Sequence, residues 1–202
     1  MGLLILFMFV LAVFPTGLAL GKFLDGRDIR KFGSGNIGGT NVARVYGWFW
    51  GIYVMVFDAL KAGLIVSLLE SFGPFKDMGT AHLFLAQTCL GALVIILNIF
   101  NPFLGFKAGK GVATGVGVAL ELDWQIAVLA LGAFIIMFAF QKFRRDDLFK
   151  ASITGTCTAL VSSVALGRSM PEIGLFLVAM PLILLSHRSN IKKYISSLKK
   201  PL

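Results

Sequence analysis

Residues 46–69 read YGWFWGIYVMVFDALKAGLIVSLL, an apolar run interrupted by only two charges, Asp58 and Lys61. A helix rises roughly 1.5 Å per residue and a bilayer's hydrocarbon core is roughly 30 Å thick, so a run of this length reads as a membrane-spanning helix. Further apolar runs lie on either side, at 3–20, 82–100, 112–120, 124–140, 153–166 and 173–186. The runs at 3–20, 82–100 and 124–140 read as spans in their own right. Those at 153–166 and 173–186 are short, and 112–120 reads as a half-helix, a re-entrant piece or the start of a packed helix. The expected fold is all-α: a polytopic integral membrane bundle of about seven transmembrane helices, or five if the short runs do not cross. It forms a single domain over residues 1–202, with no Pro/Ser-rich linker and no internal repeat. Composition agrees, because 57% of the 202 residues are hydrophobic and 14% charged, against about 45–50% and about 25% in soluble domains.

Charge orients the bundle. No basic residue precedes the first run, whereas Lys22, Arg27, Arg30 and Lys31 follow it, the reverse of a cleaved signal peptide. The N-terminus is therefore expected outside and the C-terminus in the cytoplasm. Seven crossings then place Arg44, Lys107, Lys110, Lys142, Arg144, Arg145, Lys150, Arg188, Lys192, Lys193, Lys199 and Lys200 on the inner side as well. Lys61, Lys76 and Arg168 are the exceptions among 19 basic residues. The net charge of +9 is thus a topology signal and not a nucleic-acid surface. The thiols Cys89 and Cys157 fall inside spans and read as buried packing residues. No carboxylate–histidine cluster has metal-ligand spacing, so neither a metal nor another cofactor is expected. The tail spaces Ile191, Tyr194, Ile195 and Leu198 helically among lysines. It reads either as an amphipathic helix on an anionic inner leaflet or as a solvated basic tail.

Three polar clusters share the inner side. The first runs Gly33-Ser34-Gly35-Asn36-Ile37-Gly38-Gly39-Thr40-Asn41 and then Arg44. Its glycines let backbone N–H groups approach a ligand, Ser34, Asn36, Thr40 and Asn41 add short polar groups, and Arg44 adds a planar fork suited to phosphate. A flexible connecting loop is the plainer reading. The second, Gly105 to Gly117, is a glycine-rich turn entering a helix N-terminus, where free amides, Lys107 and Lys110 would face an anion. It lacks the spacing of a Walker A loop. Gly111 and Gly115 would also suit a close helix–helix contact. The third, Ser186-His187-Arg188-Ser189-Asn190, ends the last span. His187 there is a capping residue or, with an unperturbed pKa of about 6.5, a general base. Asp58 and Lys61 are three apart on one helical face and read as an ion pair, with a floor to an active site as the sharper alternative.

Together these clusters resemble the bacterial acyl-phosphate:glycerol-3-phosphate acyltransferase (PlsY) family. Ser34 to Arg44 matches its Ser-Gly-Asn-x-Gly-x-Thr-Asn-x-x-Arg motif. Residues 108–117 are similar to its Gly-Gly-Lys-Gly-Val-Ala-Thr-x-x-Gly motif, with Ala108 for the first glycine, and His187 to Ile191 to its His-Arg-x-Asn-Ile motif. The chain departs where the family has Gly-His, here Leu97-Asn98, and lacks the family's C-terminal Gly-x-Glu.

The resemblance implies transfer of a fatty acyl group from acyl phosphate to the sn-1 hydroxyl of glycerol 3-phosphate, at the cytoplasmic face of a bacterial inner membrane. The products are 1-acylglycerol 3-phosphate and phosphate. It implies Ser34, Arg44, His187 and Asn190 as catalytic residues, and Asn36, Thr40, Asn41, Lys107, Gly109, Lys110, Gly111 and Thr114 as substrate-binding ones. Partners are glycerol 3-phosphate, fatty acyl phosphate and membrane lipid, and oligomeric state is open. The base is His187 or, as the favoured reading, an oxygen of a substrate phosphate. The rivals are a CDP-alcohol phosphotransferase, for which Asp25, Asp28, Asp146 and Asp147 lack the metal-binding spacing, an organic-phosphate transporter, and a non-catalytic relative.

Overall fold

The computed structural model describes residues 2–71, 73–142 and 148–198, and among these every regular element is helical. The helices are α1 Gly2–Val13, α2 Thr16–Asp25, α3 Gly39–Tyr46, α4 Trp48–Ser67, α5 Gly73–Lys76 and α6 Thr80–Ile99. They continue with α7 Val112–Leu122, α8 Trp124–Phe140, α9 Leu148–Ala165, α10 Met170–Ser186 and α11 Arg188–Leu198. Arg144, Arg145, Asp146, Asp147, Lys199 and Lys200, used above for topology or metal spacing, lie outside the described residues.

Three of the described helical stretches are long and apolar enough to cross a bilayer: Trp48–Ser71, Thr80–Leu104 and Leu148–Ala165. The count rises to five if the bent pairs α1–α2 and α10–α11 each form one span. The run 3–20, expected as one span, is two helices meeting at 71°. Pro15 sits at the break, where it has no N–H to give to the preceding turn and its ring clashes with that turn's carbonyl. The polar pair on α4 closes the gap. Lys61 Nζ bonds the Phe14 carbonyl at 2.7 Å and the Asp58 carboxylate at 2.8 Å, while Thr16 Oγ1 donates to the same carboxylate at 2.7 Å. Lys61 is 3% exposed, so its charge tolerates burial only because it is paired.

Small residues set the helix crossings. A Cβ on Gly117 would stand 2.0 Å from the Ala59 carbonyl oxygen, and one on Gly51 2.5 Å from the Ala43 side chain. α4 is therefore locked to α7 at one crossing and to α3 at another. Of the close contacts expected at Gly111 and Gly115, the first holds against α6, where a Cβ on Gly111 would stand 2.8 Å from Ile99 Cδ1, whereas one on Gly115 would meet only Ile95 Cδ1, at 3.9 Å, and the contact with α4 falls at Gly117. A continuous apolar core links α1, α4, α6, α7, α8 and α10 through Val66, Val94, Val118, Ile126 and Phe176. A second, smaller core of Leu20, Ile29, Ile37, Val42 and Val54 sits under the first polar loop. The outer surface is studded with exposed large apolar side chains such as Phe49, Leu60, Ile136 and Val161, as lipid-facing helices require. Cys89 belongs to that surface: it is exposed and Cys157 only partly buried, both as free thiols. The expectation of two buried packing thiols is corrected accordingly.

Candidate active site

The first polar loop is organised by one side chain. Asn41, 1% exposed, accepts the Ser34 N–H through Oδ1 at 2.7 Å and donates through Nδ2 to the carbonyls of Asn36 at 2.8 Å, Phe32 at 3.0 Å and Ile29 at 3.3 Å. Its hydrogen-bonding capacity goes into the loop, so it builds the site and leaves contact with a ligand to its neighbours. Asn36 Oδ1 accepts the Gly38 N–H at 2.8 Å in an Asx turn. That turn ends at the N-cap of α3. The Asn41 amide bonds the Gly38 carbonyl at 2.9 Å, which leaves the Gly39 and Thr40 amides as the N-terminal groups of α3 without an intrahelical acceptor. Arg44 follows one turn along the same helix.

The second loop spends its amides differently from what its glycines suggested. The N–H groups of Ala108 and Gly109 bond the carbonyls of Ile99 and Asn98 at 3.3 and 2.9 Å, and that of Gly111 bonds Asn98 Oδ1 at 3.3 Å. The glycines are there for close approach to the end of α6: a Cβ on Gly109 would lie 2.3 Å from Asn98 Oδ1. Gly111 caps α7 with φ 76°, a left-handed conformation that glycine adopts without steric cost. What remains for an anion is the first turn of α7, with its unbonded amides and positive dipole end. Thr114 adds a hydroxyl that is 1% exposed and has no protein partner among the described residues.

The third cluster docks onto the second. Lys110 Nζ donates to Asn190 Oδ1 at 2.9 Å, and Ser186 Oγ reaches the Lys110 carbonyl at 3.3 Å. Burial first, and the nearby Arg44 charge second, together lower Lys110 from its ordinary value to about 8. His187 is 1% exposed, with Nδ1 2.8 Å from the Ile183 carbonyl oxygen. A carbonyl can only accept, so Nδ1 carries the hydrogen and Nε2 holds the lone pair of the neutral ring.

These parts enclose a cavity of about 410 Å³. Ser34, Asn36, Thr40, Asn41, Arg44, Gly109, Lys110, Gly111, Thr114, His187 and Asn190 all line it. Of the residues named above as catalytic or substrate-binding, Lys107 alone is absent from the wall; it is exposed just before Ala108. Asp58 contributes the one carboxylate in the wall, which fits its reading as a floor. From this polar end the cavity continues between α7, α8, α9 and α10 along Ala127, Phe134, Ala159, Phe176 and Ile183. Sequence reasoning missed Asn98 and Asn101 as site-builders. Asn101 ties the same loop to α1 through Nδ2 to the Val13 carbonyl, at 2.6 Å. Asn98 has no local signature, because its partners lie on the second loop; Asn101 has one, the Asn-Pro turn start in which its Oδ1 accepts the Phe103 N–H at 3.0 Å, but its tie to α1 does not show in the sequence.

Such a site, with two helix N-termini and two cations at the mouth of a greasy cleft, can hold a phosphate group beside an alkyl chain. The family model of glycerol-3-phosphate acyltransferase matches residues 2–197. The chain belongs to the glycerol-3-phosphate acyltransferase family. It is 35% identical over 196 residues to a glycerol-3-phosphate acyltransferase of Prochlorococcus marinus (strain NATL1A), covering 96% of this chain and 95% of the relative. It is 38% identical over 183 residues to one from a strain of Thermus thermophilus, covering 89% of this chain and 83% of the relative. Among solved structures, it is similar to PlsY (YgiH), an integral membrane glycerol 3-phosphate acyltransferase, in its glycerol 3-phosphate form. The TM-score is 0.82 at 27% identity, over 99% of this chain and 94% of that one. The lysophosphatidic acid form of PlsY gives 0.78 at 26% identity, over 96% and 91%. Membership in this acyltransferase family bears out the resemblance drawn from the three motifs, and the all-helical membrane fold agrees with it.

Proposed function

We propose that this chain, as a single domain, transfers the acyl group of a fatty acyl phosphate to the sn-1 hydroxyl of glycerol 3-phosphate, at the cytoplasmic face of a bacterial inner membrane. The observation that carries this reading is the cavity's division into a cationic end and an apolar end. One substrate is a small water-soluble phosphate ester; the other carries an anionic head on an apolar chain. Arg44, His187, Asn190 and the first turn of α3 hold glycerol 3-phosphate, with Ser34 and Thr40 beside them. Lys110 and the first turn of α7, including Thr114, hold the acyl phosphate head. Its chain lies along the apolar wall. Acyl phosphate is already activated, so orientation and charge stabilisation supply most of the catalysis. A substrate phosphate oxygen takes the hydroxyl proton, and the buried, tautomer-fixed His187 orients the acceptor. A His187→Ala protein that bound glycerol 3-phosphate normally yet lost all turnover would count against that assignment.

The N-terminus outside, seven crossings with α7 and α8 among them, and the C-terminus inside follow from the basic residues of the inner loops. A phosphotransferase using clustered aspartates finds less support, since Asp25 and Asp28 are paired with Arg27 and Arg30 at 2.8 and 2.7 Å. The test is purified protein in lipid with palmitoyl phosphate and glycerol 3-phosphate, following phosphate release and lysophosphatidate. Product that disappears in Arg44→Ala supports the reading; glycerol 3-phosphate binding without product, or its vectorial uptake into liposomes, overturns it.

A further inference from the structure

The motif-based roles leave Asn98, Ser152 and Thr156 unassigned among the polar side chains of the cavity wall, and the two hydroxyls are spent on carbonyls of their own helix, Leu148 at 3.0 Å and Ser152 at 2.8 Å. Asn98 ends α6, is 9% exposed and lines the cavity beside Gly109, Lys110 and Gly111. Its amide orientation follows from its partner: the Gly111 N–H can bond only an acceptor, so Oδ1 is the atom at 3.3 Å. Nδ2 is then the free end, and it makes no hydrogen bond to any described residue. Nor is it a buried orphan, because it is not among the sealed side-chain atoms that lack partners. A –NH2 group in that position opens on the cavity with two donors.

Its location within the cavity selects the ligand atom. On one side of Asn98 stand Lys110 and the first turn of α7, the anionic head's place. On the other, one turn back along α6, Ile95 begins the apolar wall. In an acyl phosphate the group joining head to chain is the carbonyl. We infer that Asn98 is a catalytic residue whose Nδ2 donates to the acyl carbonyl oxygen and stabilises it as it becomes an oxyanion. This rests on the acyl-phosphate reading of the same site.

In the step it assists, the glycerol hydroxyl oxygen bonds to the carbonyl carbon and the carbonyl π pair moves onto oxygen, facing Nδ2. That pair then returns, the bond from carbon to the bridging phosphate oxygen breaks, and phosphate leaves with the bonding electrons. The hydroxyl proton ends on the departing phosphate. The products are the ester and hydrogen phosphate, with charge and atoms balanced. Removing one oxyanion donor of this kind typically costs about a hundred- to a thousandfold in kcat.

Asn98 also holds Gly111, so the test must separate the two roles. Asn98→Asp keeps an oxygen acceptor for the Gly111 N–H and replaces the donor with a second acceptor. Asn98→His offers one ring acceptor and one ring donor. Both are compared with wild type in lipid, measuring kcat, KM for palmitoyl phosphate and KM for glycerol 3-phosphate, with thermal unfolding as a check on folding. The expected result is a kcat for Asn98→Asp lowered by about a hundredfold or more, with KM for glycerol 3-phosphate within about threefold, and a kcat for Asn98→His within about tenfold of wild type. An Asn98→Asp protein whose loss is confined to KM for palmitoyl phosphate, with kcat intact, overturns the inference and leaves Asn98 a holder of the loop. A wild-type protein that makes no lysophosphatidate overturns the acyltransferase reading itself.

Discussion

Replacing Lys61 with methionine isolates the buried ion pair on α4. The substitution keeps the length of the side chain and its apolar stem but removes the ammonium from Asp58 and from the Phe14 carbonyl, bonds of 2.8 and 2.7 Å. Breaking a buried pair from one side typically costs about 3–5 kcal/mol, because the remaining charge is left uncompensated. A stranded carbonyl adds about 1–3 kcal/mol. Thr16 Oγ1 continues to donate to Asp58, which argues for the lower end, and about 3 kcal/mol is the working figure. The second half of the cycle is Asp58→Asn with Lys61→Met, which leaves no charge to strand. It should recover at least half of the loss, a coupling of about 1.5 kcal/mol or more. The assay is reversible unfolding in mixed micelles for wild type, both single variants and the double. The loss should also reach function, since Thr16 opens α2 and Gly17 beside it packs against the Ile37 carbonyl under the first loop. A Lys61→Met protein within about 0.5 kcal/mol of wild type, the scale of a neutral surface change, would refute the reasoning. So would a double variant no better than the single.

The remaining predictions concern the site. Burial and the Arg44 charge hold Lys110 at about 8, so inorganic phosphate should bind progressively more weakly as pH rises from 7 to 9, with Lys110→Met flattening that dependence in calorimetric titrations. The stability effect has the opposite sign. A lysine with a depressed pKa binds more protons unfolded than folded between about 8 and its ordinary value, so without added phosphate the protein gains stability across that window as pH rises. Lys107→Ala should change either KM by less than about threefold, as expected of an exposed charge outside the cavity; a change in glycerol 3-phosphate KM like that of Arg44→Ala would bring it back into the site. Gly117→Val should fail to reach wild-type stability by about 3 kcal/mol or more, since the Ala59 carbonyl oxygen stands where its Cβ would go, and a variant unfolding at the wild-type temperature would contradict the α4–α7 crossing. Asn41→Leu should lose glycerol 3-phosphate binding although Asn41 is assigned no ligand contact, because four backbone groups of the first loop lose their partner; unchanged binding would dissociate loop order from the site.

Apolar run length determined that this chain is a helical membrane protein, because it is additive along the chain and needs no partner to be read. The three motifs likewise pointed to residues that line one cavity, since glycine, Asn and Arg at those spacings carry their chemistry locally. Other features depended on what each segment met. The break at Pro15 is a stable bend because Lys61 and Asp58, more than forty residues away, satisfy the exposed groups. The glycines of the second loop were legible as close-approach residues, but what they approach is Asn98 and not the ligand, so the anion is left to the first turn of α7. Gly117, not Gly115, carries the contact of α7 with α4, because the rotation of α7 against α4 is set by the packing of both. Hydrogen-bond acceptors and close contacts are pairwise quantities, and a pair distant in sequence exists only once the chain has folded around it.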